Sequence, residues 1–600
     1  MNLKQLAAEK ILGEVLRPLK DVGRLKILVV DPFTKEMLSA CCTMSDVTAE
    51  GIATIEDLMK SREPLPSLEA IYFLSPSHES VSRLIGDFAF RTQYRSAHVF
   101  FTEACPDALL NNIAKSTVMR SIKTCKELGL AYIPYEAQVF TLHLPDTMPK
   151  FFPPQKSEDF WDRIEMIADR IALLCVAVGD IPSISYREAF TRNIELAHLV
   201  ENKLSILRKE NPSLGAADPE KIQPGLIILD RGYDLTTPLL HELTVQGMVH
   251  DLLPVDRGVY MYQDGNENPK KMLVLDENNE EWMGTRHSHI ADASKLISGK
   301  LKDLAVADKE TKRDTLKDLS SLIRTAPEQK KKLDRLAGVM YMIEQCMARY
   351  SSGVDLLCQI EQDLATGADT HGEPLKDAQR MILGPLADPK VRPEDRLRLL
   401  LLYIQYCGGV TQDGLQKLVK HAQFRSTESD IIKNIENLGL TVVSEFVQSG
   451  GKLTARRERP STPVYNTSRW VPLLKDILED ALDETMDQNV YPHLPGKRVS
   501  ISSQVPMSAR YGQWHKKKPD NALSSGPRLI VYIIGGMTYS EMRTVYEVSR
   551  ERNCSILIGS DQIITPDSFL NELAAMNRKS ALHFESFIRC TVVDEQESQV

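Results

Sequence analysis

Short, unbroken apolar runs punctuate the first part of the chain, at Lys26–Asp31, Ala70–Leu74, Ala97–Phe101 and Ala131–Pro134. Runs of this length without polar alternation predict strands buried on both faces, as in a parallel sheet. Between them the apolar residues fall three and four apart. Leu109, Leu110, Ile113, Val118 and Ile122 predict one helix over 107–125, and Met1–Leu16 reads as an amphipathic helix ahead of the first strand. Strands alternating with helices predict an α/β domain over residues 1–130.

Residues 225–250 predict the next unit, a strand, a loop and a helix. Leu226–Leu229 is buried-strand sequence closed by Asp230, Gly232 permits a sharp exit, and Thr236-Thr237-Pro238 reads as an N-cap with proline at the first helical position. The preceding stretch, 151–211, is helical in pattern. The further strands this unit needs recur only at 528–536 and 555–560, so 131–243 and 471–600 read as two parts of a second α/β domain, split by an insertion over 244–470.

The insertion is mostly helical. Leu333, Leu336, Met340, Ile343, Met347, Tyr350, Val354 and Leu357 recur at alternating spacings of three and four, an a/d stripe, and Leu316, Leu319 and Ile323 keep its phase before Pro327. The pattern predicts a helical hairpin near 305–350, bent at Ala326-Pro327. Such a seam serves either as the core of a helical subdomain or as the acceptor of an apolar helix from another chain.

Composition narrows the function. The 600 residues, 42% apolar, suffice for about three or four domains. A net charge of -9 argues against nucleic acid as the partner, because such binding draws on neutralised phosphates. The ten cysteines are scattered, with Cys41 and Cys42 adjacent and no C-x-x-C, which speaks for a reducing compartment and against a zinc ribbon. No apolar run reaches the ~20 residues of a membrane span, so a cytoplasmic protein is expected.

Acidic residues at the carboxyl ends of parallel strands, Asp31 and Asp230, stand where α/β proteins bind ligands. Their usual companions are missing: the phosphate loop, the dinucleotide fingerprint and the nucleophile elbow are all absent. His241-Glu242 begins a zinc motif that Val245 ends, His287 and His289 form a pair without further ligands, and Asp276–Glu281 lacks the glycine of a calcium loop. Asp230, Arg231 and Asp234 are expected to form a salt-bridge network internal to their loop. No catalytic set, metal or cofactor is expected; a hydrolase or phosphotransferase using Asp230 is the alternative.

The stretch LIILDRGYDLTTPLLHELT closely resembles the signature of the SM family (Sec-one/Munc-eighteen-like proteins). VVDPFTKEMLSACCTMSD, REPLPSLEAIYFLSPS, AHVFFTEACPDALL, SRWVPLLKDILED, SARYGQWHKKK and GPRLIVYIIGGMTYSEMRTVYEVS resemble family segments in family order, most similarly to the syntaxin-binding exocytic branch. The resemblance implies an arch-shaped, three-domain α/β fold with two parallel-sheet domains and a helical insertion. It implies a non-enzymatic chaperone of SNAREs in vesicle docking and fusion, a cytoplasmic monomer held at the plasma membrane only through its SNARE partner. By position, Asp31, Lys35, Glu36, Thr43 and Glu56 correspond to a cavity for closed syntaxin, with Lys35, Glu36 and Thr43 departing from better-known relatives. Cys105, Leu110, Ile122, Cys125 and Glu127 correspond to a slot for the N-terminal peptide of syntaxin, expected to lie partly on one helix, with Leu110 and Cys125 smaller than the family's residues. Pro327, Leu333 and Met340 correspond to the surface for a synaptobrevin-type R-SNARE and the assembled SNARE complex, and Asp230, Arg231 and Asp234 to a structural signature.

Overall fold

The computed structural model describes residues 2–576 apart from 22, 90–91, 213, 215–223, 264–269, 311–315, 446–456, 458–464 and 495–528, and of 305–310 and 316–328 it gives the backbone alone. The segment SARYGQWHKKK, 508–518, lies outside the described residues.

Every residue of Lys26–Val30 (β1) is buried. It is the second strand of a parallel sheet with β2 (Ile52–Asp57), β3 (Leu65–Leu74), β4 (Tyr94–Phe101) and β5 (Ile122–Glu127), in the order β2-β1-β3-β4-β5. Leu28, Val30, Ile71 and Phe73 join one apolar cluster, whereas Ile27, Val29, Tyr72 and Leu74 join another on the opposite face. Cover on both faces is why these strands are apolar at successive positions. The edge strands β2 and β5 carry mixed sequences, IATIED and IKTCKE, that local patterning does not separate from helix or loop. The helix expected over 107–125 is corrected accordingly: it spans Asp107–Lys115, a single turn follows at Thr117–Arg120, and Ile122 onward pairs with β4.

The second sheet runs β6-β7-β14-β13-β9-β8, from β6 (Ile133–Glu136), β7 (Val139–Thr141), β8 (Ser183–Tyr186), β9 (Gly225–Asp230), β13 (Leu529–Ile534) and β14 (Ile556–Ser560). All its neighbours are parallel except β6 and β7. The apolar run at Ala131–Pro134 opens this sheet and takes no place in the first. A strand, β8, interrupts the stretch read as helical, between helices Glu158–Val178 and Thr191–Glu210. Leu529–Ile534 pairs residue for residue with Gly225–Asp230, so the far end of the chain supplies the two central strands. Proline at 238 opens only a single turn, Thr237–Leu239, and the helix expected there starts at Val245.

Among the described residues the chain between β9 and β13 is mainly helical, with one small antiparallel sheet of β10 (Val255–Asp256), β11 (Val259–Tyr262) and β12 (Lys271–Val274). Its strands are too short for a periodicity to register. Helices Ile290–Glu310 and Leu316–Arg349 pack on each other. The second runs through Pro327, which corrects the bend expected at Ala326-Pro327. One proline removes one ladder hydrogen bond at a cost of about 3 kcal/mol, and the buried stripe Leu336, Val339, Met342, Ile343 and Cys346 anchors the helix C-terminal to it. The a/d stripe itself is interrupted at Gly353, whose φ of 131° breaks the helical run before Asp355–Thr366. Among the described residues no helix is long and apolar enough to cross a membrane.

Candidate partner-binding surfaces

The carboxyl end of β9 is filled by the protein's own side chains. Asp230 accepts from Arg187 Nη1 at 2.8 and 2.9 Å, from Asn193 Nδ2 at 2.8 Å and from the Gly232 N–H at 3.0 Å. Arg231 has no exposed surface; it donates to both oxygens of Glu541 (2.6 and 3.0 Å) and to the carbonyls of Asp234 and Gly536. Asp234 accepts from the N–H groups of Thr236, Thr237 and Leu473. The expected loop-internal network is thus corrected, since each side chain ties β9 to a different remote segment. Burial pushes the Glu541 carboxyl up, and Arg231 outweighs it and holds it below its ordinary value. A Cβ at position 232 would collide with the Leu438 carbonyl, so glycine is required here by close approach.

A second buried network lies just downstream. His241 shares its Nδ1 proton and its backbone N–H with Glu361 (2.8 and 2.9 Å), and its Nε2 stands 3.5 Å from Asp395. Arg398 reaches Asp251 at 3.2 Å and the Leu239 carbonyl at 2.8 Å. Burial and Arg398 push the imidazole down, Glu361 and Asp395 override them, and the result is a pKa raised to about 9. His241, Cys358 and Glu361 could offer a metal three donors within 4.8 Å, and both oxygens of Glu361 are already engaged by His241.

The residues matched to a syntaxin cavity divide in two. Asp31 is fully buried and spent on structure: it caps the helix Pro32–Cys41 through the Thr34 N–H (2.9 Å), and its other oxygen accepts from Ser75 (2.6 Å) and Ser80 (2.9 Å). Strand ends that meet a helix N-terminus favour such caps. Lys35, Glu36 and Thr43 are exposed and Glu56 is half-buried. Lys35 pairs with Asp57 at 3.0 Å, Glu36 with His143 at 3.5 Å, Thr43 caps Met44–Ala49 together with Asp46, and Glu56 accepts from Tyr94.

The slot residues converge, though not on a helix. A bulge at Lys123 lets Ile122 pair with Ala97 while Cys125 and Glu127 pair with Val99 and Phe101, which puts all three in phase with alternate residues of β4. Cys105, just beyond β4, donates its N–H to Glu127 at 2.8 Å, and Leu110 packs on the same cluster as Ile122. Burial, helped by Glu127, pushes the Cys105 thiol up to about 11. The slot therefore sits at the sheet edge, with an apolar floor and one exposed carboxylate.

On the helical hairpin, Leu301, Ala337, Met340, Tyr341 and Glu344 line a cavity of about 230 Å³ with Tyr262 and Lys271 from the small sheet. Leu333 is 47% exposed. The side chain of Pro327 lies outside the described residues.

The sequence profile described as the Sec1 family matches residues 26–572. The chain belongs to the Sec1 family. It is 28% identical over 602 residues to protein transport protein sec1 of Dictyostelium discoideum, covering 96% of this chain and 100% of that one. Among solved structures it matches the Unc18 chain of the Unc18–syntaxin 1 complex from Monosiga brevicollis, with a TM-score of 0.81, 28% identity, and 96% and 100% of the two chains covered. Sly1p in complex with an N-terminal peptide of Sed5p, at 19% identity, a TM-score of 0.69 and 96% and 99% coverage, shares the fold. The three-domain arch is thus the Sec1 family fold, two parallel-sheet domains and a helical insertion. Sequence reasoning missed the partners that hold the Sec1 signature in place, Arg187, Asn193 and Glu541; their charges and amide are visible in the sequence, but nothing local marks Arg187 and Asn193 as neighbours of Asp230, 43 and 37 positions on, or Glu541 as the neighbour of Arg231, 310 positions back.

Proposed function

We propose that this Sec1 family chain is a non-enzymatic chaperone of SNAREs that clasps closed syntaxin and templates SNARE assembly in vesicle docking and membrane fusion at exocytosis. The observation that carries the reading is the likeness over almost the whole chain to an Unc18 solved with syntaxin 1. The division into 1–130, 131–243, 244–470 and 471–600 belongs to it, as do a monomeric state and a cytoplasmic location from which syntaxin recruits the protein to the plasma membrane. Lys35, Glu36, Thr43 and Glu56 supply the charged and polar wall of the cavity. A hydrolase or phosphotransferase built on Asp230 is not favoured, because that carboxylate is 1% exposed and committed to Arg187 and Asn193.

Titration calorimetry against a syntaxin cytoplasmic region tests the whole reading, and no binding at micromolar concentration would refute it. The slot at β5 receives the syntaxin N-terminal peptide: an apolar residue rests on Leu110 and Ile122 while a basic one meets Glu127. Leu110→Lys is expected to weaken the complex with full-length syntaxin by at least about tenfold, or about 1.4 kcal/mol. The same substitution leaves a complex with syntaxin lacking its N-terminal peptide unchanged, and equal losses in both would remove the slot assignment.

The hairpin holds a synaptobrevin-type helix in register beside syntaxin, with the helix extended through Pro327 as the templating form. Leu333 then offers an exposed apolar anchor near the Met340 cavity. Leu333→Asp is expected to reduce R-SNARE binding about tenfold without changing the unfolding midpoint, since an exposed leucine contributes little to stability. Fluorescence anisotropy with a labelled R-SNARE helix reads the first effect and urea unfolding the second; undiminished binding would exclude Leu333 from the surface.

A further inference from the structure

Cys41 and Cys42 end the helix Pro32–Cys41, and their sulfurs stand 3.8 Å apart. Adjacent residues have Cα atoms about 3.8 Å apart across a trans peptide, below the roughly 4.4–6.8 Å of an unstrained disulfide. An S–S bond would therefore be strained. A cation suits the same spacing without movement, because two thiolates each about 2.3 Å from a tetrahedral ion lie about 3.8 Å from each other. Both residues are half-buried, so solvent reaches them. The Cys41 thiol is oriented by the Met37 carbonyl at 3.1 Å.

We propose that Cys41 and Cys42 form a bidentate site for a thiophilic closed-shell divalent cation of the zinc and cadmium class, with water completing its shell. Binding takes one ion and releases two thiol protons to solvent. Thr43, next in the chain, caps the following helix, so a bound ion pins the corner between two helices. The site stands on its own geometry and does not depend on syntaxin.

Cadmium titration of the reduced, metal-free full-length protein tests it, read by the thiolate-to-metal charge-transfer absorbance and by protons released. One ion and two protons per chain are expected at saturation. The absorbance is lost in both Cys41→Ser and Cys42→Ser and kept in Cys125→Ser. A band that survives either replacement, a band that vanishes with Cys125→Ser, or no saturable band in the unsubstituted protein overturns the proposal. Cys42→Ser, at the helix end, keeps the test decisive if Cys41→Ser disturbs folding, which circular dichroism reports.

Discussion

Arg231→Met is expected to cost about 3–5 kcal/mol of stability, the usual effect of removing one partner of a buried ion pair. Arg231 and Glu541 are both without solvent exposure, so the substitution leaves a carboxylate with only the Tyr233 and Thr538 hydroxyls and the Thr538 N–H around it. Two carbonyls, of Asp234 and Gly536, lose their donor as well. The measurement is the urea midpoint of the transition that unfolds the second sheet. Because an apolar pair of similar volume is often as stable as the ion pair it replaces, adding Glu541→Met should recover much of the loss. A single substitution costing under about 1 kcal/mol, or a double one costing the sum of both singles, would show that the pair carries no buried charge.

His241→Gln is expected to have a comparable effect, about 3–5 kcal/mol, with a distinctive pH dependence. Glu361 touches His241, and Asp395 and Asp251 approach its Nε2, while Arg398 packs beside them. The folded-state pKa of about 9 lies above the unfolded value of 6.5. A group raised in this direction contributes stability that is complete below 6.5 and is lost as pH rises through about 9. The unsubstituted protein should therefore lose stability across that window, and His241→Gln should lack this component of the slope. Parallel slopes would mean that His241 is neutral in the folded protein.

The parts of the fold legible in the sequence are those buried from both sides. β1, β3, β4, β9, β13 and β14 each announce themselves as apolar runs because helices cover both faces of their sheets. β2 and β5 are edge strands of mixed sequence, β5 with a bulge that breaks its alternation, and the four residues of β8 are too few for a periodicity to register. Pro327 misled in the other direction: a local rule that ends helices lost to the packing of Leu336, Val339 and Ile343 further along. At the candidate surfaces, the sequence carries no sign of which way a side chain faces. Asp31 and Glu56 look alike as acidic residues on neighbouring strands, yet Ser75 and Ser80 turn the first inward. Those serines belong to another segment, and the pairing that brings them close is invisible to any window of sequence.

The two central places in the second sheet belong to β13 and β14, the last of the described strands. The five strands of the first sheet are all present once Glu127 has been synthesised, so that domain can form while the rest is still being made. β7 and β9 instead wait with open apolar edges for partners that follow several hundred residues later. At about 5–20 residues per second the delay is on the order of tens of seconds. Unpaired edges of this kind attract other chains. Ribosome-bound intermediates of this protein are therefore natural clients of the general folding machinery, and a premature stop before Ser560 removes the middle of a sheet and leaves its rims in place.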